Sequence, residues 1–100
     1  MKPAIEITSF KLAKGLSLAD FVDANADVDP WLQKQPGFVS RILTQQQDGT
    51  IVDMVIWGRI SQARSSARRL MQELADSPVH AAIDQRTVQW SLAPIRHMVP

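Results

Sequence analysis

The sequence predicts an α+β domain with the element order βαββαβ: a ferredoxin-like, four-stranded antiparallel sheet with two helices on one face. Two observations support this class. Stretches with helical periodicity alternate with β-branched runs, and Asp48-Gly49 separates two such runs in the manner of a hairpin. A chain of 100 residues makes one domain, because two separate domains of half this length would each be only marginally stable. We expect a single domain over 1–100, with a core over about 4–92 and a tail over 93–100.

The first half predicts a strand followed by an interrupted helix. The segment of residues 5–12 is short and rich in β-branched side chains, which is typical of a β-strand. Ser17 stands where a helix N-cap is expected, with Asp20 three residues later as a weaker capping-box partner, and apolar residues then recur at helical spacing over 18–34. Pro30 lacks an N–H and crowds the preceding turn, so we expect a kink or break near Val28-Asp29.

The middle of the chain predicts a hairpin of residues 38–44 and 51–57. If Asp48-Gly49 is a two-residue type I′ turn, Ile42 pairs with Val55. One additional loop residue would shift this register and exchange the two faces of the strand.

The last part predicts a second helix and a fourth strand. Ser61 is the expected N-cap of that helix, and Ser77-Pro78 opens a one-turn helix over 78–83. Residues 87–92 alternate cleanly and form the fourth strand. The apolar stripe of the second helix consists of Ala63, Ala67, Leu70, Met71 and Leu74.

Composition excludes several classes of protein. Apolar residues make up 45% and charged residues 21%, and no apolar run approaches the roughly 20 residues of a membrane span. The net charge of +1 is too balanced for a dedicated nucleic-acid binder, and no signal-peptide pattern is evident. The absence of cysteine excludes disulfides, thiolate catalysis and cysteine-ligated zinc. We expect a cytoplasmic protein that uses no metal or cofactor and contacts neither nucleic acid nor membrane.

The central hairpin is apolar on both faces, although two helices can cover only one face of the sheet. An exposed apolar face promotes association with other molecules, and packing it against a second copy of the chain would bury it in both copies. The sequence therefore predicts a homodimer. In the expected register the two sets of apolar residues are Val39, Leu43, Met54 and Ile56 on one face and Phe38, Ile42, Val55 and Trp57 on the other.

Residues 31–38 (WLQKQPGF), followed by Ser40-Arg41, Asp48-Gly49 and residues 52–57 (VDMVIW), resemble the dimeric α+β-barrel superfamily. They look most like its small members near the antibiotic-biosynthesis monooxygenase-like domains. The resemblance covers about 4–92 and implies two ferredoxin-like subunits whose sheets close into one barrel. The superfamily includes cofactor-free monooxygenases, haem-degrading enzymes, isomerases, dehydratases and stress proteins. Where the haem-degrading branch has an asparagine in strand one, this strand offers Ser9, so haem degradation is not expected.

Two polar residues and the three tryptophans are the first signals of a site. Asn25 interrupts the apolar stripe of helix one, and its amide either bonds to a nearby backbone carbonyl or lies in a cleft. His80 is either a candidate catalytic base or a locally bonded histidine. Trp31, Trp57 and Trp90 form either the core and dimer interface or a flat lining for an aromatic ligand.

Charged residues on apolar strands are a further signal. Arg41, Asp53 and Arg59 form either ion pairs or a clamp for an anionic group. The candidate ligand-binding residues are therefore Asn25, Trp31, His80, Trp57 and Arg59.

These features lead to two hypotheses about function. The first is a homodimeric, cofactor-independent monooxygenase- or isomerase-like enzyme, acting on a small apolar or aromatic substrate in a cleft between the helices and the sheet. The second is a non-catalytic ligand-binding or stress-related dimer.

Overall fold

The structure is a computed structural model that describes residues 2–100. Its four strands form one antiparallel sheet in the order β2-β3-β1-β4, so the predicted ferredoxin-like α+β class is confirmed. None of the helices in residues 2–100 is long and apolar enough to cross a membrane. The elements are β1 (Ala4–Leu12), α1 (Leu18–Ala24), α2 (Val28–Gln33), β2 (Phe38–Gln45), β3 (Ile51–Trp57), α3 (Ile60–Glu73) and β4 (Ile83–Pro94).

The first helix of the sequence prediction is two short helices. The predicted capping box is confirmed, because Ser17 Oγ accepts the Asp20 N–H at 3.1 Å and Asp20 Oδ2 accepts the Ser17 N–H at 2.8 Å. The break falls at Asn25, the C-cap of α1, and not at Val28-Asp29 as predicted. Pro30 lies in the first turn of α2, where its missing N–H would have had no helical partner.

The hairpin prediction was wrong by one residue. In residues 2–100 only glycines have positive φ, so Asp48 cannot occupy a type I′ turn. The loop instead holds three residues, 47–49, with Gly49 at φ +90° and the Gln46 N–H donating to the Thr50 carbonyl at 2.8 Å. Ile42 therefore pairs with Met54 and not with Val55.

This register assigns the faces of the sheet. Val55 and Leu43 face the helices, whereas Ile42 and Met54 lie on the opposite face. The predicted grouping of Ile42 with Val55, and of Leu43 with Met54, was wrong for the same reason. We call this opposite face the outer face. Its apolar residues, on β1, β2 and β3, are Ile5, Ile7, Ile42, Val52, Met54 and Ile56.

The last third of the chain departs from prediction at both its helices. Arg59 has the extended backbone of an N-cap and its carbonyl accepts the Ala63 N–H, so α3 begins at Ile60 and Ser61 is not its cap. Residues 78–82 form successive turns with bonds from residue i to i−3, and not the predicted helix over 78–83.

Strand β4 is longer than the predicted 87–92. It begins at Ile83 and continues through Pro94, which the sequence had assigned to the tail. A bulge opposite β1 accommodates the extra length, and there Thr87 Oγ1 accepts the Lys11 N–H at 2.8 Å.

The core lies between the helices and the inner face of the sheet. Phe10 and Phe21 pack with ring centroids 5.2 Å apart, and Phe38 and Trp57 pack edge to face with ring centroids 5.9 Å apart. The Phe10–Phe21 contact holds α1 against the inner face of the sheet, and none of the helices in residues 2–100 covers the outer face.

Candidate functional site

A cavity of about 380 Å³ lies between the helical layer and the inner face of the sheet. Its walls are mainly apolar, which is typical of small-molecule sites. The apolar side chains that line it include Phe10, Phe21, Val28, Leu32, Val55 and Leu70, and the polar ones include Glu6, Thr8, Asn25, Arg41, Asp53 and His80. A second, more open and more polar hollow lies beyond Arg41, between α2 and β2.

A buried polar cluster centred on Arg41 forms one wall of the cavity. The guanidinium binds Asp53 through two bonds of 3.1 and 2.8 Å, and reaches Asp29 at 2.8 Å. It also donates to Asn25 Oδ1 at 2.7 Å. The Asn25 amide, only 1% exposed, in turn donates to the Phe21 carbonyl at 2.7 Å. Asn25 therefore ties the end of α1 to β2 while it lines the cavity.

The Arg41 cluster is a set of ion pairs and not a clamp for an anion. Burial alone lowers the pKa of Arg41, but the hydrogen bonds and charges of Asp53 and Asp29 outweigh it, so the pKa of Arg41 is raised. Four of the five guanidinium N–H groups donate within the protein. Of the two alternatives that the sequence left open for Arg41 and Asp53, the structure shows the ion pair.

Glu6 is the second charged group of the cavity. Its carboxylate accepts the indole N–H of Trp57 on one oxygen at 3.0 Å and that of Trp90 on the other at 2.8 Å. Trp57 is buried beneath it, whereas Trp90 is half-exposed and lines the cavity from β4. The two indoles fix the orientation of the carboxylate.

His80 lines the cavity from the turns that precede β4. Its Nε2 lies 2.8 Å from the Leu74 carbonyl, the C-cap of α3. A carbonyl only accepts, so Nε2 carries the proton and Nδ1 is the nitrogen with a free lone pair in the neutral ring. The local bond that the sequence allowed is present, and it leaves one nitrogen able to accept a proton.

The structure brings two of the five candidate residues, Asn25 and His80, to this cavity. Trp31 lies elsewhere, with its indole donating to Glu73 at 3.1 Å and Arg69 stacked on its ring. Trp57 supports Glu6 from the core without lining the cavity, and Arg59 is exposed at the start of α3.

Sequence reasoning missed Glu6 and Thr8, and it treated Trp90 only as one of three indoles that could line a ligand site. Alternation along β1 places Ala4, Glu6 and Thr8 on the inner face, opposite Trp57, Val55 and Asp53. An acidic residue at an inner position of a central strand was the available signal. Ser9, the residue considered in strand one, points to the outer face.

Residues 2–100 contain no group of three or more His, Asp or Glu side chains placed to hold a metal ion.

The fold and its cavity define a class: a ferredoxin-like domain with a small-molecule-sized hollow between its helices and its sheet. No protein-family model and no curated protein matches the chain. Solved structures share the fold. SnoaB, a cofactor-independent oxygenase from Streptomyces nogalater, is 19% identical with a TM-score of 0.77, over 100% of this chain and 99% of that one.

Two further structures show the same architecture. The monooxygenase ActVA-Orf6 of Streptomyces coelicolor, in complex with nanaomycin D, is 17% identical with a TM-score of 0.75, over 99% of this chain and 92% of that one. A candidate antibiotic biosynthesis monooxygenase from Bordetella bronchiseptica is 18% identical with a TM-score of 0.76, over 93% and 96%. The predicted resemblance to antibiotic-biosynthesis monooxygenase-like domains is thus confirmed at the level of the fold.

Proposed function

We propose that this protein is a cofactor-independent monooxygenase that acts on a small aromatic substrate bound in the cavity. One observation carries the proposal: an apolar cavity of about 380 Å³ is lined by a histidine whose Nδ1 is free to accept a proton. The volume lies in the range of about 300–1,000 Å³ typical of ligand pockets. Proteins of the same fold are named as a cofactor-independent oxygenase and as a monooxygenase, which supports this activity over others.

Oxygenation without a cofactor requires a substrate that itself reduces O₂. Removal of a proton from a methylene conjugated with an aromatic ketone gives an electron-rich enolate that O₂ can oxidise. The carbon–oxygen bond then forms, and loss of water leaves one oxygen atom in a new carbonyl. His80 Nδ1 is the group that takes the proton, and the bond from Nε2 to Leu74 holds the ring in the required tautomer. The apolar walls exclude water from the enolate.

We also propose that the protein is a homodimer through the outer face. This face is apolar over three adjacent strands, and Ile42 at its edge is 50% exposed in the single chain. An exposed apolar surface of this extent is rare on monomers, and a two-fold pairing of the two sheets would cover it on both copies.

Oxygen consumption with anthrone, a tricyclic ketone with one reactive methylene, tests the activity. The assay contains a chelator, and the product quinone is followed by its absorbance. Ala67 lines the cavity on α3, so Ala67→Trp should fill it and abolish turnover. Ser65→Trp places the same side chain on the exposed side of α3 and should retain turnover. Equal rates in the two variants, or no oxygen uptake by the native protein, would contradict the proposal.

A second candidate, a binding protein without catalysis, is favoured by a specific observation. Arg41, Asn25 and His80 already hydrogen-bond within the protein, so these polar groups are held by structural contacts. This candidate predicts that anthrone raises the melting temperature without oxygen uptake. A ligand at 100 times its Kd would stabilise the protein by about 2.7 kcal/mol. An isomerase would also lack oxygen uptake but would convert its substrate.

A further inference from the structure

We propose that the cavity selects a ligand with a protonated amine on an aromatic frame, and that Glu6 is the residue that recognises the amine. This inference rests on the proposed function only in assuming that the cavity holds a small aromatic molecule.

The hydrogen-bond partners of the Glu6 carboxylate within residues 2–100 are neutral. The carboxylate accepts one indole N–H on each oxygen, from Trp57 at 3.0 Å and from Trp90 at 2.8 Å. A carboxylate can accept about four hydrogen bonds, so roughly two positions remain for a ligand. None of the ion pairs formed within residues 2–100 involves Glu6. A charge beside apolar walls is costly without a counter-charge, and a bound ammonium group would supply one.

The balance of charge around the cavity points the same way. The charged side chains that line it are the carboxylates of Glu6 and Asp53 and the guanidinium of Arg41, with His80 counted as neutral. Arg41 binds Asp53 twice and Asp29 once, so its positive charge is already neutralised. Glu6 therefore leaves the cavity with excess negative charge, which attracts a cation and repels a carboxylate.

Aromatic side chains line the same cavity as Glu6. Phe10, Phe21 and Trp90 offer ring surfaces for an aromatic frame, and Trp90 holds the recognising carboxylate directly. The ring faces of such side chains also attract an ammonium group that comes within about 6 Å. A molecule with a flat apolar body and one ammonium group complements both features.

Calorimetric titration with three ligands of one frame tests the inference on the native protein. The ligands are 2-(aminomethyl)naphthalene, 2-(hydroxymethyl)naphthalene and 2-naphthoate, which differ in charge and little in size. We expect the amine to bind about tenfold more tightly than the alcohol, because a charge-assisted bond to Glu6 replaces a neutral one. The carboxylate should bind most weakly of the three.

A matched pair of variants tests the assignment to Glu6. Glu6→Gln removes the charge and should reduce the affinity for the amine to that for the alcohol. Glu73→Gln is the control, because Glu73 also accepts an indole N–H, from Trp31 at 3.1 Å, but lies outside the cavity. The Glu73→Gln variant should bind the three ligands in the same order of affinity as the native protein.

Equal affinities for amine and alcohol, or tightest binding of naphthoate, would overturn the inference while leaving the cavity as a binding site. An amine preference that survives Glu6→Gln would overturn the assignment to Glu6. Failure of all three ligands to bind would overturn this inference, whereas the proposed oxygenation is decided separately, by oxygen uptake with anthrone. If Glu6→Gln does not fold, the order of affinities on the native protein still decides.

Discussion

Replacing Arg41 with methionine should destabilise the protein far more than breaking any ion pair at its surface. The Arg41 side chain is only 10% exposed and its partner Asp53 is 15% exposed, so methionine would leave the Asp53 carboxylate buried without a counter-charge. Asp29 is 57% exposed and would be solvated by water instead. Asn25 Oδ1 would lose its bond to the guanidinium as well.

The expected loss follows from these contacts. Removing one partner of a buried ion pair typically costs about 3–5 kcal/mol. Domains of this size have total stabilities of about 5–15 kcal/mol, so the variant should be folded only marginally. Adding Asp53→Asn removes the stranded charge and should recover much of the loss, since the remaining amide is neutral.

Chemical denaturation, followed by tryptophan fluorescence, measures these differences. Arg86→Met is the matched control, because Arg86 also makes two bonds to one carboxylate, that of Asp84, but its side chain is 90% exposed. The control should change the free energy of unfolding little, since water screens the pair. Similar losses in Arg41→Met and Arg86→Met, or no recovery in the double variant, would refute the reasoning.

Three further predictions concern the base, the outer face and the first helix. His80→Gln keeps a donor for the Leu74 carbonyl but removes the titratable nitrogen, so oxygen uptake should be lost at a nearly unchanged melting temperature, whereas His80→Ala should also lower that temperature. Full activity in His80→Gln would exclude His80 as the base. Met54→Asp buries a charge twice in the proposed dimer and should give unfolded or aggregated protein; a monodisperse native species of 11.2 kDa in light scattering would contradict the dimer itself. The backbone and side-chain hydrogen bonds of Ser17 lower the pKa of Asp20 below its ordinary 3.8, so Asp20 stabilises the fold above pH 3.8 and loses this effect as the pH falls through its folded-state pKa. Asp20→Asn should therefore lower the melting temperature at neutral pH. If the variant and the native protein differ in melting temperature by the same amount in strong acid, this linkage is contradicted.

Much of the fold could be predicted from local patterns, and the errors arose where a short segment allows more than one backbone conformation or where long-range contacts decide. The strands and the capping box at Ser17 follow from periodicity and side-chain chemistry in one short segment. The hairpin register depends on the backbone angles of Asp48, which the dipeptide Asp48-Gly49 does not determine. The early start of β4 depends on the bulge opposite β1, where Thr87 bonds to the backbone of Lys11.

The residues of the site divide in the same way, into those that one short segment indicates and those that depend on contacts far apart in the sequence. Asn25 could be predicted because a polar residue in an apolar stripe is visible within one helix. Glu6 could not be selected in the same way, because its significance comes from Trp57 and Trp90, which are 51 and 84 residues away along the chain. The sequence does not distinguish Trp31 from these indoles, yet its N–H donates to Glu73 and it does not line the cavity.

Chemical-shift mapping of the three tryptophan indole N–H groups tests the central claim, that the cavity binds a small aromatic molecule. Trp90 lines the cavity and Trp57 shares Glu6 with it, whereas Trp31 bonds to Glu73 outside the cavity and serves as an internal reference. Titration with 2-(aminomethyl)naphthalene should shift the Trp90 resonance most and that of Trp57 less, with no change at Trp31. Shifts at Trp31 as large as those at Trp90, or no shift at Trp90 at saturating ligand, would contradict the claim.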